Sequence, residues 1–438
     1  MADQNMADQS TADQSMADQC KPGQRAGQIR LLYLIGQYPA INHSYLLAEV
    51  RHLRRLGLDV PVASVSPPDR PLEKLTPDER EETTRTFYVK SVPALKVALL
   101  NVSEFLRHPL RYLGGLIFAV GLGRSSPKRA IYHLAYFAEA ILVGRHMREC
   151  RVFHVHASFS ATVALIVART FPVTMSFGVY GFGELHNPKE THLAELVKGS
   201  RFVRSISRHG RGQLMLSCNR SEWPKLIYAP LGTDTTEFAP GASRTVPVAP
   251  NLLCVGRLAP EKGQALLLEA VAALFADGRP VHVRLVGDGP DRRWLEGRAA
   301  ELGIASSVEF AGWVDQTRLM ELYGETDLFV LPSLAEGIPM VLIEAMAMQI
   351  PCVAPCITGI PELIEPGVDG MLFAVADVGD LSQKIRDLLE SPELRAQIGR
   401  QARARVLRDY DMARNTERFA FVLGENLGGT GSPGLHRQ

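Results

Sequence analysis

The chain has 438 residues, enough for two or three domains, and its 46% hydrophobic and 22% charged residues are ordinary values for a globular protein. Its 48 lysines and arginines nearly balance its 47 aspartates and glutamates. Because duplex-binding proteins are usually much more basic, nucleic acid is excluded as an expected partner.

Residues 1–26 repeat Ala-Asp-Gln and form a polar, low-complexity tail that we expect to be disordered. This tail lacks the apolar core of a secretory signal, and no stretch of the chain approaches the ~20 apolar residues that span a bilayer. The six cysteines are scattered, and several lie in apolar runs, as is typical of reduced, buried thiols. These features predict a cytoplasmic protein.

Order is expected to begin with the apolar run at residues 29–35, which predicts a buried strand. Helical spacing over residues 44–56 ends at Gly57, a residue typical of helix C-termini, and residues 60–65 predict the next strand. This β-α-β order indicates a parallel sheet. The same alternation resumes later, with elements predicted at residues 152–156, 161–169, 173–177 and 202–205.

The segment between these two stretches, residues 90–150, is rich in leucine, alanine and aromatic residues and is also basic. Its cations outnumber its three glutamates, Glu104, Glu139 and Glu149. The cations are Lys90, Lys96, Arg107, Arg111, Arg124, Lys128, Arg129, Arg145 and Arg148. Helices with such a basic face could make peripheral contact with an anionic membrane, or they could pack on the first domain with solvated cations. Both interpretations stay open at this point.

The second half of the chain alternates very regularly from Asn251 onward. Strands are predicted at residues 252–255, 281–286, 308–310, 327–331, 351–353 and 371–373, with helices between most of them. We therefore predict an α/β protein with two Rossmann-like, doubly wound domains facing across a cleft. The predicted division is a tail over 1–26, a first domain over 27–240, a linker over 241–250, a second domain over 251–405, a helix over 406–424 that packs back on the first domain, and a flexible tail over 425–438.

The first candidate site is the loop Gly256-Arg257-Leu258-Ala259-Pro260-Glu261-Lys262-Gly263, directly after a predicted strand. Gly256 allows a tight turn beside a ligand. Arg257 contributes a planar guanidinium group and Lys262 a compact ammonium group at the same crevice. This combination suits a diphosphate. A solvated loop with two incidental cations is the alternative.

The second candidate site begins at Glu336 and continues into an apolar helix. Gly337 and Pro339 mark the turn into that helix, whose N-terminal amides can receive a phosphate. Glu344 lies about two turns inside the helix. One of the two carboxylates can therefore meet a sugar while the other accepts hydrogen bonds from vicinal ribose hydroxyls.

Taken together, these clusters resemble the signature of the GT4 family of retaining glycosyltransferases, which have the GT-B fold. The resemblance is carried by Glu336-x7-Glu344 and by Gly256-Arg257-x4-Lys262-Gly263. Residues 285–290, 308–314 and 230–238 are similar to further motifs of that family. Residues 38–49 and 154–159 are similar to its exopolysaccharide and colanic-acid-type members.

The resemblance implies a hexosyltransferase that uses a nucleotide-diphosphate sugar, a glycan or lipid-linked acceptor, and neither a metal nor another cofactor. It implies that the first domain faces the acceptor and the second binds the donor. Arg257 and Lys262 would neutralise the leaving diphosphate, and Glu336 would contact the donor sugar. Glu344 would bind ribose, and Val314 would line the base pocket. The remaining implied donor contacts are Gly256, Gly337, Ile338, Pro339 and Met340.

One departure from the family pattern concerns catalysis. The family usually carries a histidine just after the first-domain strand that residues 173–177 predict, whereas this chain has Gly178 and Tyr180 in that region. His156 and His186 could take its place, and His156 is the candidate cleft residue. This departure leaves open a catalytically impaired nucleotide-sugar-binding protein. A GT-B nucleotide-sugar epimerase, which would bind a similar donor, is a further alternative.

Overall fold

The computed structural model describes residues 29–188, 190–241 and 249–428, and these residues form two α/β domains. The predicted N-terminal tail, the centre of the predicted linker and most of the predicted C-terminal tail lie outside these ranges. Each domain contains one parallel sheet covered by helices, which confirms the predicted fold class.

The sheet of the first domain has seven parallel strands in the order β3-β2-β1-β4-β5-β6-β7. Its strands are β1 Leu32–Gln37, β2 Val62–Ser66, β3 Thr86–Tyr88, β4 His154–Ser158, β5 Thr174–Val179, β6 Val203–Ser205 and β7 Leu226–Tyr228. The strand order reverses between β1 and β4. Ligands of open α/β sheets bind beyond the carboxyl ends of the strands at such a point.

The sheet of the second domain has six parallel strands in the order β10-β9-β8-β11-β12-β13. Its strands are β8 Asn251–Val255, β9 His282–Val286, β10 Val308–Gly312, β11 Leu328–Val330, β12 Cys352–Pro355 and β13 Met371–Phe373. Here the order reverses between β8 and β11, so the loops after these two strands meet at one crevice.

Helices cover both sheets, and most are amphipathic or wholly buried. In the first domain they are α1 Ser44–Arg55, α2 Pro77–Arg85, α3 Ala94–Arg107, α4 Pro109–Gly123, α5 Pro127–Glu149, α6 Ala161–Thr170, α7 Phe182–His186, α8 Leu193–Gly199 and α9 Arg208–Ser217. After β8 follow α10 Gln264–Ala276, α11 Arg292–Glu301, α12 Gln316–Gly324, α13 Met340–Ala347, α14 Ile360–Leu363, α15 Val378–Glu390, α16 Pro392–Asp409 and α17 Met412–Leu427.

The last helix, α17, crosses back to the first domain and packs against α1. The crossing point is fixed by hydrogen bonds from the Thr233 amide to the Tyr410 carbonyl (3.0 Å) and from the Met412 amide to the Thr233 carbonyl (2.9 Å). Phe419 of α17 is fully buried in a hydrophobic cluster that contains residues of both domains. The C-terminal segment therefore ties the two domains together.

Helices α3, α4 and the first turns of α5 form a layer on the first domain with an apolar outer surface. Leu95, Leu106, Leu110 and Ile117 are each more than two-thirds exposed. The one acid between residues 91 and 138, Glu104, is buried and paired with arginines of α5. Within the described residues, none of the helices has both the length and the apolar character needed to cross a bilayer.

Candidate functional site

The two candidate loops of the second domain meet where its strand order reverses. Lys262 follows β8 and Glu336 follows β11, and these strands are neighbours at the reversal. Gly263 has φ of 65°, and a Cβ there would lie 2.2 Å from the Pro332 carbonyl oxygen. Only a glycine therefore lets the first loop lie directly on the second.

At this contact, Lys262 and Glu336 form an ion pair. The Lys262 Nζ donates to Glu336 Oε1 at 2.6 Å, and the Ser333 hydroxyl donates to the same oxygen at 2.7 Å. The Glu336 side chain is 9% exposed and that of Lys262 26%. Each charge thus has a partner, while the Lys262 side chain stays partly exposed. Sequence reasoning missed Ser333, although its place after β11 could have indicated it.

The helix α13 starts beside this pair and presents an uncapped N-terminus. Its N-cap residue, Pro339, has no side chain that could bond the first amides. Met340 is half-buried, while Ile338 and Pro339 are buried. The first-turn amides thus begin next to the Lys262–Glu336 pair, an arrangement that suits an anion.

Glu344 lies one turn inside α13 rather than the expected two, about 6 Å along the helix axis, because the helix begins only at Met340. Its carboxylate accepts a hydrogen bond from the Tyr323 hydroxyl at 2.9 Å. Burial raises the pKa of Glu344 to about 7, although the bond from Tyr323 opposes that rise. Tyr323, on α12, is a further site residue that sequence reasoning missed, because nothing in the sequence indicates that it packs against α13.

The other predicted donor residues lie around the same crevice. Gly256 follows β8, and its amide donates to the Val286 carbonyl at 2.9 Å, which ties the start of the loop after β8 to the end of β9. The Arg257 side chain is exposed, and its carbonyl accepts from Gln264. Val314, after β10, is half-buried against the hydrophobic cluster that also contains Tyr323. The structure thus brings Lys262 and Glu336 into direct contact and arranges the others around them.

The first domain reaches this crevice through the segment after β5. A Cβ added to Gly337 would lie 2.5 Å from the Tyr180 carbonyl oxygen. A cavity of about 260 Å³ extends from this contact between the domains, and its walls include Tyr180, His209, Glu336 and Thr358. The Thr358 hydroxyl is buried without a hydrogen-bond partner among the described residues. Tyr180, His209 and Thr358 were not predicted, because their approach depends on how the two domains pack.

The segment after β5, where the family histidine would be expected, carries Tyr180 beside Gly178. A Cβ on Gly178 would lie 2.5 Å from the tyrosine ring, so this ring fills the space that a side chain at position 178 would need. The Tyr180 hydroxyl is hydrogen-bonded to the Ser158 hydroxyl at 2.8 Å, and burial raises the pKa of Tyr180. The phenol therefore stays protonated at neutral pH.

Glu184 holds this segment in place. Its carboxylate accepts from the amides of Tyr180 (2.5 Å) and Gly181 (3.3 Å) at the start of α7. Burial raises the pKa of Glu184 to about 7, and the two amide bonds oppose that rise.

His156, the candidate cleft residue, is instead part of the first-domain core. It is fully buried, and its ring lies 5.0 Å from that of Tyr33 and 5.4 Å from that of Phe419. Its Nδ1 is hydrogen-bonded to the Ser176 hydroxyl at 2.8 Å. Burial lowers its pKa well below the usual range, so the imidazole is neutral. β4 turns this side chain toward α17, and His156 does not line the described cavity between the domains, so its cleft role stays a prediction.

Known proteins resemble this chain in sequence and in fold. Residues 242–405 match the family model described as glycosyl transferases group 1. The chain is 25% identical over 418 residues to "Putative colanic acid biosynthesis glycosyltransferase WcaL" of Escherichia coli, covering 89% of this chain and 98% of that protein. It is 36% identical over 187 residues to D-inositol 3-phosphate glycosyltransferase 2 of Catenulispora acidiphila, covering 39% of this chain and 44% of that protein.

Two solved structures with related folds cover nearly the whole chain. Sucrose-phosphate synthase from Thermosynechococcus elongatus has a TM-score of 0.70 at 19% identity, over 92% of this chain and 100% of that one. Anabaena Alr3699/HepE, solved in complex with UDP, has a TM-score of 0.67 at 18% identity, over 91% and 100%. The curated relatives are transferases by name, which favours a transferase over the epimerase and the impaired binding protein. The match of residues 242–405 to the family model, together with these relatives, indicates that the chain is a glycosyltransferase with the GT-B fold.

Proposed function

We propose that this enzyme transfers a hexose from a nucleotide-diphosphate sugar to a glycan or lipid-linked acceptor, with retention of the anomeric configuration and without a metal. The observation that carries the proposal is the Lys262–Glu336 pair at the reversal point of the second sheet. The UDP bound to Anabaena Alr3699/HepE, a protein of the same fold, supports a nucleotide-sugar donor.

In this proposal the donor diphosphate lies between Lys262, Arg257 and the N-terminus of α13. The two cations and the first-turn amides stabilise the negative charge that grows on the phosphate as it leaves, which is the work that a metal ion does elsewhere. Glu336 is positioned by Lys262 and Ser333 to contact the donor sugar. Glu344 accepts from the ribose hydroxyls beside Tyr323.

The reaction exchanges one bond of the donor sugar for another. The bond between the anomeric carbon and the diphosphate oxygen breaks, and the acceptor hydroxyl forms its new bond on the same face of the ring. The proton of that hydroxyl goes to the departing phosphate oxygen. The protein contributes positioning and charge stabilisation rather than a covalent intermediate.

A donor panel tests this function. The purified enzyme is titrated calorimetrically with UDP-, GDP-, ADP- and dTDP-hexoses in the presence of a chelator, and then incubated with donor and a cell-envelope extract. We expect one donor class to bind and to release its nucleotide as the sugar is transferred, and NMR of the product should show the donor's anomeric configuration. An inverted product would contradict retention, and an epimerised donor would favour the epimerase.

We further propose that the enzyme works in the cytoplasm, on the inner face of an anionic membrane. The described cysteines carry free thiols, as expected in a reducing compartment. The exposed leucines of α3 and α4 are flanked by exposed Lys96, Arg107 and Arg111 and by no exposed acid between residues 91 and 138. A surface that carries apolar side chains and cations, but no acids, fits an anionic bilayer.

Vesicle sedimentation tests this contact. Each cation near an anionic surface contributes about 1 kcal/mol, so Arg107→Gln/Arg111→Gln should weaken binding to phosphatidylglycerol vesicles roughly 30-fold. Arg386→Gln/Arg400→Gln, at the surface of the second domain, serves as the control for total charge. Equal binding by the two double variants would argue against membrane contact through α3 and α4.

A further inference from the structure

Helix α9 of the first domain begins at the interface with the second domain, which supplies part of its N-terminal cap. The Glu362 carboxylate of α14 accepts from the Arg208 amide at 2.7 Å and from the His209 amide at 2.6 Å, one amide on each oxygen. The next amide, that of Gly210, is bonded within the first domain by the Ser207 hydroxyl at 2.9 Å. Two of the amides that have no partner inside the helix are therefore satisfied from the other domain.

This contact favours the observed arrangement of the two domains. The N-terminus of a helix carries a partial positive charge, which stabilises the Glu362 carboxylate. Hydrogen bonds to a charged group are stronger than neutral ones, and this one side chain accepts two of them. If the domains separated, the carboxylate and both amides would exchange these bonds for bonds to water.

The backbone of Glu362 is fixed to the segment where the chain crosses between the domains. Its carbonyl accepts from the Arg405 guanidinium at 3.0 Å and from the Tyr410 hydroxyl at 3.3 Å. Tyr410 belongs to the crossing point, where its own carbonyl accepts the Thr233 amide. The carboxylate therefore extends to α9 from a backbone that is held in place at the crossing point.

The loop before α14, residues 356–359, lies directly on the donor loop of the second domain. A Cβ added to Gly359 would lie 2.6 Å from the Gly337 carbonyl oxygen. Thr358 has φ of 47°, a conformation that is rare and costly for a β-branched residue and persists only where surrounding contacts hold it. Glu362 is thus joined to the donor loop through a short segment in a fixed conformation.

The first turn of α9 lines the cavity between the domains. Ser207 and His209 contribute to the first-domain wall of this cavity, and Glu336 and Gly337 contribute to the second-domain wall. Because Glu362 bonds the amides of this turn, it fixes the spacing of the two walls. Displacement of reacting groups by about 1 Å can lower a rate by about 100-fold, so this spacing matters for transfer.

We propose that Glu362 is a positioning residue of the transferase, which connects α9 to the second domain and so holds the walls of the cavity at the spacing that sugar transfer requires. The inference rests on the proposed function and adds a residue to it. Glu362 acts through the backbone of α9 and not through the reacting atoms.

Two pairs of variants break the contact from either side. Glu362→Ala removes the carboxylate, and its control, Asp377→Ala, removes a carboxylate that caps α15 within the second domain by accepting the Asp380 amide at 2.9 Å. Arg208→Pro removes one of the two donated amides, and its control, Arg208→Ala, removes the same side chain but keeps the amide. Proline is favourable at the first position of a helix, and Ser207 before it already has the extended conformation that proline requires, with φ of −136° and ψ of 153°.

The spacing of the domains is measured by double electron–electron resonance. Spin labels are attached to keto amino acids incorporated at Thr84 of α2 and Ala300 of α11, two exposed positions whose labelling does not involve the native cysteines. On the same variants, binding of UDP, GDP, ADP and dTDP is measured by calorimetry, and kcat and KM are measured with the donor that the wild type uses.

We expect one narrow distance in the wild type and in both controls, and an additional longer distance in Glu362→Ala and Arg208→Pro. In these two variants kcat should fall tenfold or more, whereas nucleotide affinity should stay within threefold of wild type, because the proposed nucleotide contacts all lie in the second domain. Glu362→Ala and Asp377→Ala should unfold at similar urea concentrations, since each loses a helix cap.

The wild-type distance distribution in either Glu362→Ala or Arg208→Pro, or an equal loss of kcat in their controls, would overturn the proposal. A wild type that transfers sugar from no donor would instead count against the transferase function. The distance measurement would still decide whether Glu362 holds the domains together, and the two failures are therefore distinguishable.

Discussion

Replacing Lys262 by methionine separates the catalytic role of the Lys262–Glu336 pair from its structural role. Methionine keeps the length of the side chain and removes the ammonium group. Glu336 then keeps one observed partner, the Ser333 hydroxyl. If the pair holds the donor diphosphate, this variant loses a cation that acts on the leaving group.

The two roles predict effects of different size. A hydrogen bond to a charged group contributes about 1.5–3 kcal/mol, and the partial exposure of Lys262 reduces the loss of stability to roughly 1 kcal/mol. Removal of one preorganised group that stabilises transition-state charge lowers kcat by about 10²–10³. We therefore expect a large loss of transfer in a protein that is still folded.

The assay is the rate of nucleotide release with acceptor present, measured beside urea unfolding of the same samples. Lys384→Met is the matched control, because Lys384 pairs with Asp380 in the same domain and is 31% exposed, close to the 26% of Lys262. It should transfer sugar at the wild-type rate. Transfer by Lys262→Met within threefold of wild type, or an equal loss in Lys384→Met, would refute the reasoning.

Three further predictions follow from the site. Gly337→Ala puts a methyl group 2.5 Å from the Tyr180 carbonyl oxygen, so it should hold the domains apart and lower kcat by about 10²-fold, while Gly324→Ala, in open space, should not. Burial raises the pKa of Glu344 to about 7 from an ordinary value of 4.5, so the folded chain keeps a proton that the unfolded chain releases. The free energy of unfolding should therefore fall as the pH rises from about 4.5 to 7. In urea titrations, Glu344→Gln should make this fall smaller, and the similar contribution of Glu184 should remain. Transfer should continue at an unchanged rate after treatment with EDTA; a loss that added Mg²⁺ restores would contradict the metal-independent proposal.

Much of the fold could be predicted because buried parallel strands are apolar on both faces and recur between helices. The predicted strand at residues 371–373 has the same bounds as β13, whereas that at residues 152–156 lies two residues before β4. The prediction missed Ala157 and Ser158 at the carboxyl end of β4, where the polar Ser158 is buried through a hydrogen bond to Tyr180. A sequence pattern based on hydrophobicity does not reveal such hydrogen bonds between polar side chains.

The candidate site was predictable as far as it depends on local sequence. Lys262 and Glu336 each follow a strand in a loop with glycine, and the topology of a doubly wound sheet brings those loops together. Tyr323 and Tyr180 could not be predicted, because the first reaches Glu344 from another helix and the second reaches the crevice from the other domain. The burial of His156 could not be predicted either, because a histidine within a strand gives no sign of which face of the sheet it occupies.

A crystal structure of the enzyme with its bound nucleotide-sugar is the most direct test of the central claim. The account predicts the diphosphate within hydrogen-bonding distance of Lys262 Nζ, Arg257 and the first amides of α13, with Glu336 against the sugar. A nucleotide bound elsewhere, with the Lys262–Glu336 pair untouched, would contradict it.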